Sequence, residues 1–275
     1  MKNLLNCLLR LYIMHKFDNS WLFKREKIDN LSKNKLIIQK INKSLKNINE
    51  INIIDLGTGT GSNFRYLSKK IKYNNQSWTL MDISKSSLKE ARVNTKINKK
   101  IKRISIKNHD VIQNINTTHF SNYDVVTGSA FLDIMPKKWF KSFHLRNVNT
   151  KIVYFSINYD GDFNFFPKHN LDNSVVNLFN SDQKSKKVNN LRAVGPDCSL
   201  IIDSIFSKTH KTYSLKSNWT KITDKKFQLM FLDFCNKVID KNKNYHEWFQ
   251  FRKEKIIKNK SKLTVHNKDF LAIKI

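Results

Sequence analysis

Asp55, Gly57, Gly59 and Gly61 stand at alternate positions in the run Asp-Leu-Gly-Thr-Gly-Thr-Gly, directly after an apolar-rich stretch that begins at Ile51. Glycines at this spacing let the backbone take positive φ and let a ligand approach where a Cβ would block it. The amphipathic run from Ser62 to Ile71 predicts a helix, whose first N–H groups face the same turn. A strand, a tight turn with Thr58 and Thr60 in it, and a helix N-terminus together predict a site for a nucleotide-like ligand. An acid two residues ahead of the first glycine is poorly placed beside a pyrophosphate but suits a ligand with an ammonium group. The dinucleotide fingerprint also fails here, because its third glycine falls on Ser62.

Further acids fall where strands should end. Alternating apolar residues lead into Asp82 and Ile83, and a carboxylate at such a place accepts both hydroxyls of a ribose. Asp82 has a second use available, capping the helix that begins near Ser84. A third strand, Lys102 to Lys107, runs into Asn108, His109, Asp110 and Val111; a fourth, Tyr123 to Thr127, runs into Gly128, Ser129, Ala130, Phe131, Leu132 and Asp133.

In this order the four segments resemble the class I S-adenosylmethionine-dependent methyltransferases, over about residues 50–157 and the closing strand. The resemblance implies S-adenosyl-L-methionine as cofactor, whose amino-acid end carries no phosphate. It implies a site built from Asp55, Gly57, Thr58, Gly59, Thr60, Gly61, Asp82, Ile83, Asp110, Val111 and Ser129, with Asp110 on the adenine amino group. The segment after strand four would line the place of methyl transfer. Transfer from a sulfonium is an in-line displacement, so the protein must align nucleophile and methyl and, for an alcohol, phenol or ammonium, supply a base. Asp133 is the first candidate for base or substrate anchor, then His169, then Asp160. Tyr159 and Arg192 are candidates for holding the substrate, Arg192 because a guanidinium fork grips a carboxylate or phosphate bidentately. The N/D-P-P-Y/F/W sequence of amino-methylating nucleic-acid enzymes is absent after strand four, which argues against methylation of DNA base amines.

The elements that must position these residues follow from the pattern. Strands and helices alternate from Ile51 to Ile157, which predicts an α/β, Rossmann-like three-layer sandwich. The family pattern implies a mostly parallel seven-stranded sheet with an antiparallel last strand, here Asp269 to Ile275. Residues 1–49 read as an N-terminal helical cap and residues 50–275 as the methyltransferase domain. Trp21, Phe23 and Arg25 are candidates for covering the cofactor, with core packing the alternative for the two aromatics. Residues 158–199 are polar, aromatic and poorly periodic, with a short helix near Ser174 to Phe179, and read as a substrate-side insertion. Residues 223–260 read as a helical insertion before the last strand, after a sixth strand from Lys211 to Lys216.

Composition bounds the rest. The 275 residues carry 51 Lys and Arg against 22 Asp and Glu, a formal charge of +29. Lysine supplies 43 of the basic residues and is spread along the chain beside abundant Asn and Ile, as an A+T-rich coding sequence produces. The charge therefore reads as solvated surface, and nucleic acid is a less favoured partner than a small-molecule methyl acceptor. A non-catalytic basic nucleic-acid module on the same fold, or an RNA methyltransferase, is the alternative. Cys7, Cys198 and Cys235 have neither disulfide nor zinc spacing, so no metal and a reducing, cytoplasmic setting are expected. The first residues read as an amphipathic helix with Leu4, Leu5, Leu8, Leu9 and Ile13 on one face. Arg10 interrupts that apolar run, so neither a signal peptide nor a membrane partner is expected.

Overall fold

The structure is a computed structural model that describes residues 19–46, 49–95, 99–188, 190–239 and 245–275. The helix expected over the first residues, and Cys7, lie outside them. Two helices lead, α1 (Asn19–Ser32) and α2 (Lys35–Ser44), the second capped by Asn34, whose side chain accepts from the Leu36 N–H. The alternating part follows as β1 (Ile51–Leu56), α3 (Ser62–Lys70), β2 (Gln76–Asp82), α4 (Lys85–Val93), β3 (Ile101–Asn108), β4 (Val125–Ser129) and α5 (Lys137–Asn147). Next come β5 (Ile152–Phe166), α6 (Asp172–Ser185), a small hairpin of β6 (Lys187–Val188) and β7 (Leu191–Arg192), and α7 (Cys198–Phe206). The chain closes with β8 (His210–Lys216), β9 (Trp219–Ile222), α8 (Lys225–Ile239), α9 (His246–Ile257) and β10 (Lys262–Lys274).

The main sheet has the order β3-β2-β1-β4-β5-β10-β8, with β9 pairing beside β10 as an eighth strand. Strands β1 to β5 are parallel along this path, and β10 runs antiparallel to β5 and to β8. The expected α/β sheet with its antiparallel last strand is thus the observed one, with β9 added. The order reverses between β1 and β4, the point where open α/β sheets bind ligands beyond the strands' carboxyl ends.

Period-two alternation assigns side chains to the two faces. Ile51 and Ile53 of β1, Tyr154 of β5 and Leu271 of β10 pack with α2, α3 and α4 on one face. Ile54, Leu56, Val153, Phe155, Phe270 and Ala272 pack with α5 and α7 on the other. Asp55 shares the parity of Ile51 and Ile53, so it is driven under α3 and is fully buried.

A third core stands beyond the sheet's carboxyl ends, and here the structure departs from the sequence reading. Strand β5 does not stop at Ile157 but continues to Phe166, paired with β10, which begins at Lys262 rather than Asp269. Phe163 and Phe165 point inward while Asp162, Asn164 and Phe166 alternate outward, a pattern masked by the polar residues between the aromatics. The expected short helix is the fourteen-residue α6. Trp21 of α1, Val175 and Val176 of α6, Trp219 of β9, Phe227, Phe231 and Leu232 of α8, and Trp248 of α9 pack on this extended ribbon. Arg252 of α9 pairs with Asp172 at 2.5 Å and also donates to the Pro167 carbonyl, fastening α9 to the start of α6. Among the described residues no helix is long and apolar enough to cross a membrane.

Candidate functional site

The glycine turn takes the backbone its sequence requires: Gly57, Gly59 and Gly61 have φ of 60°, 53° and 84°. Gly57 is fixed by a second demand as well, since an added Cβ would lie 2.5 Å from Cδ2 of Phe131. Leu22 of α1 comes within 3.3 Å of where a Cβ on Gly59 would be, so the leading helix lies over the turn. Asp55 does not face a ligand directly. Its Oδ2 accepts from the Thr58 hydroxyl at 2.7 Å and its Oδ1 from Asn63 Nδ2 at 2.8 Å, and burial pushes its carboxyl up to about 6 against those bonds and Lys33.

Asp82, at the carboxyl end of β2, accepts from the Gly59 N–H and the Ser84 N–H, both at 2.8 Å. It thus braces the glycine turn and the stretch leading into the next helix. Ser84, not Asp82, caps α4, accepting from the Ser87 N–H at 3.2 Å. Burial raises the Asp82 carboxyl above its ordinary range, opposed by these N–H donors. Asp110 uses Oδ1 to accept from the N–H groups of Ile112 and Gln113 at 2.9 and 3.0 Å, with Val111 buried beside it. Thr60 is buried, and its hydroxyl has no partner among the described residues. Ile83 and Ser129 are half-buried at the ends of their strands.

These residues fit S-adenosylmethionine. The turn carries no Cβ at three positions, one buried hydroxyl awaits a partner, and acids end β2 and follow β3. That donor and acceptor set matches a ribose, an adenine amino group and an amino-acid end.

Beside the turn, a cavity of about 140 Å³ opens at the ends of β4 and β5. Its walls are Trp21 and Arg25 of α1, Ala130 and Asp133 after β4, Ile157 and Tyr159 of β5, and Phe179, Asp182 and Gln183 of α6. Trp219, Phe231, Phe234, Lys237 and Asn267 complete it with Lys186, Val238 and Val265. Ala130 and Ile157 both hold positive φ, 50° and 54°, and a β-branched residue there is under strain. The strain is overdetermined: Ala130 N–H donates to the Ser156 carbonyl at 2.8 Å, and Ile157 N–H donates to Asp269 Oδ1 at 2.9 Å.

Three buried polar atoms on residues of this cavity lack a partner among the described residues: Asp133 Oδ1, Tyr159 Oη and Trp21 Nε1. Burial raises the Asp133 carboxyl, opposed by Arg25 and Lys186, and raises the Tyr159 hydroxyl strongly. Two of the three basic lining residues are engaged in ion pairs, and Lys237 Nζ lies 5.6 Å over the Phe234 ring. Arg25 Nε binds Asp29 Oδ2 at 2.8 Å, and Lys186 pairs with Asp182 at 2.8 Å.

Asp133 and Tyr159 are thus brought together, and Trp21 and Arg25 join them as cover, while Phe23 remains exposed. The other candidates stand apart. His169 serves the start of α6, its N–H donating to Asp172 and its Nδ1 accepting from the Leu171 N–H. Asp160 pairs with Lys268 at 2.8 Å, and Arg192 is exposed on β7. Phe179, Trp219, Phe231 and Phe234 were not legible as site residues, because their spacing reads as ordinary core. Among the described residues no cluster of His, Cys, Asp and Glu is arranged to hold a metal.

No curated protein matches the sequence. Among solved structures, the chain is similar to the YcgJ protein from Bacillus subtilis, at 11% identity and a TM-score of 0.47, covering 88% of this chain and 99% of that one. It is similar to an S-adenosylmethionine-dependent methyltransferase from Geobacter sulfurreducens solved with S-adenosyl-L-homocysteine, at 8% identity, a TM-score of 0.45, and 89% and 92% coverage. The cyclopropane synthase MmaA2 from Mycobacterium tuberculosis gives 8%, 0.45, and 86% and 82%. Residues 53–146, which hold the glycine turn, Asp82, Asp110 and Asp133, match the family model described as a methyltransferase domain. With its motifs in this order at the carboxyl ends of a sheet of this topology, residues 53–146 are similar to a methyltransferase domain.

Proposed function

We propose that this protein transfers the methyl group of S-adenosylmethionine to a small-molecule acceptor held in the cavity between α1, α6 and α8. The observation that carries this reading is a partly open pocket with an acid of its own, Asp133, at the strand ends next to those that bear the glycine turn and Asp82. When bound, the cofactor supplies a methyl group on a cationic sulfur that is already electrophilic. The protein's task is then alignment and exclusion of water. Asp82 accepts from the ribose hydroxyls, Asp110 from the adenine amino group, and the Thr60 hydroxyl gains the partner it lacks. Asp55 is a positioning residue, because it is fully buried with its oxygens bonded to Thr58 and Asn63 within the turn, whereas Asp82 is only half-buried. Trp21 and Leu22 of α1 close the site from above.

The walls favour a small molecule, because they form a concave, mostly apolar pocket with a few polar groups. Calorimetric titration with S-adenosylmethionine and S-adenosylhomocysteine, with NADH as control, tests the reading. Micromolar binding of both sulfur ligands, lost in Asp82→Ala and absent for NADH, is expected. Folded protein that binds neither overturns it and leaves the basic surface, read through salt-dependent RNA binding, as the functional feature.

A further inference from the structure

We infer that the acceptor is an amine on a flat apolar group of about one ring, seated with its nitrogen toward Asp133 among Trp21, Tyr159, Phe179 and Phe231. The inference rests on the methyl-transfer reading and adds the acceptor's class. Size comes first: an enclosed cavity of about 150 Å³ lined by apolar side chains admits benzene, and this partly open pocket offers about 140 Å³, which sets the size of the seated ring rather than of the whole acceptor. Charge comes second. Among the lining acids Asp182 already has Lys186, whereas Asp133 Oδ1 is sealed from solvent with no partner among the described residues. Of the cationic walls, Arg25 is committed to Asp29 with its guanidinium 5.1 Å over the Trp219 ring, Lys186 is committed to Asp182, and Lys237 Nζ lies 5.6 Å over the Phe234 ring. An alkylammonium gives the orphan carboxylate a charge partner and gives the aromatic walls a cation to stack on. An anionic acceptor would leave Asp133 facing a like charge.

The chemistry balances with these groups. The ammonium gives one proton to the Asp133 carboxylate, and the freed nitrogen lone pair forms the N–C bond. The C–S bond of the sulfonium breaks with its electron pair going to sulfur, leaving a methylammonium and S-adenosylhomocysteine. The proton on Asp133 then passes to water that enters as the methylated product leaves. Burial holds the Asp133 carboxyl above the ordinary range, which strengthens it as a base.

The test is calorimetric titration of the full chain with phenethylamine, 2-phenylethanol and 3-phenylpropionate, each with and without S-adenosylhomocysteine. Phenethylamine is expected to bind about tenfold or more tighter than the alcohol, and the carboxylate least well. Asp133→Asn should lose about tenfold or more of the amine affinity while its affinity for S-adenosylhomocysteine stays unchanged. Tyr159→Phe, which keeps the ring, should lose less. Equal or better binding of the alcohol or the carboxylate, no binding of any of the three, or an unchanged amine affinity in Asp133→Asn overturns the inference. Failure of S-adenosylhomocysteine itself to bind sinks the methyl-transfer reading instead, and the cofactor-free titrations still report which acceptor class the cavity prefers.

Discussion

Lys33 Nζ, one residue past α1, donates to Asn63 Oδ1 at 2.9 Å. Asn63 in turn gives its Nδ2 protons to Asp55 Oδ1 at 2.8 Å and to Thr127 Oγ1 at 3.1 Å. One buried amide thus ties the leading helix to the glycine turn and to β4. Lys33 is itself buried, which lowers its pKa, and Asp29, Asp269 and Asp55 oppose that shift. The leading helix is therefore anchored through the same side chain that orients the turn.

Replacing Asn63 with Ala leaves an ammonium, a carboxylate oxygen and a hydroxyl without their shared partner. A loss of about 3 kcal/mol in unfolding free energy is expected, together with weaker S-adenosylhomocysteine binding. Urea denaturation and calorimetry on the same samples check it. A variant as stable as the parent would mean that water replaces the amide and that the tie is incidental.

Gly57→Ala meets two obstacles, the φ of 60° and the Phe131 ring at 2.5 Å. The backbone obstacle alone costs about 1–2 kcal/mol. Gly57→Ala is expected to lower the melting temperature and cofactor affinity. Adding Phe131→Leu should recover part of the stability, because it relieves the clash and leaves the φ cost. No recovery would place the whole penalty in the backbone.

The Asp55 carboxyl is raised from 3.8 to about 6 by burial. A raised folded pKa means that the folded state holds the proton more tightly than the unfolded chain. Its contribution to stability is present below about pH 4 and lost as pH rises through about 6. The stability of Asp55→Asn relative to the parent should accordingly climb between these values and level off above. Urea midpoints at pH 4, 5, 6 and 7 read this, and a difference that falls over the same interval would contradict it.

Asp269 accepts from the Ile157 N–H and the Asn34 N–H at 2.9 Å and from the Tyr154 hydroxyl at 3.0 Å, so it holds the strained cavity wall and the start of α2 together. Asp269→Ala leaves three buried donors unpaired, with an expected cost of about 3–5 kcal/mol. Asp269→Asn keeps an acceptor and should cost less. Amine affinity should fall in both variants as Ile157 relaxes. A normal cavity in Asp269→Ala, read by phenethylamine titration, would show that β5 holds its shape without the acid.

By itself the sequence determined the half that carries the glycine turn. Local chemistry is sufficient there: three glycines at alternate positions demand positive φ, and an acid at a strand end has nowhere to go but the sheet's carboxyl edge. The strands from Ile51 to Ile157 were legible within a few residues, since their apolar runs are bounded by turn residues. Only the tertiary structure decided the half that carries the cavity. The β5–β10 ribbon was hidden by polar residues alternating with Phe163 and Phe165, and its pairing is between segments about a hundred residues apart. The walls around Asp133 come from α1, α6, α8 and β9, and aromatic residues at core spacing look alike in sequence whether they line a cavity or fill one. Lys33 is one of 43 lysines, distinguished from the rest by burial alone, which no local pattern encodes. His169, Asp160 and Arg192 have the right chemistry but are spent on a helix start, on Lys268 and on an exposed hairpin, because residue type fixes what a group can do and packing fixes what it faces.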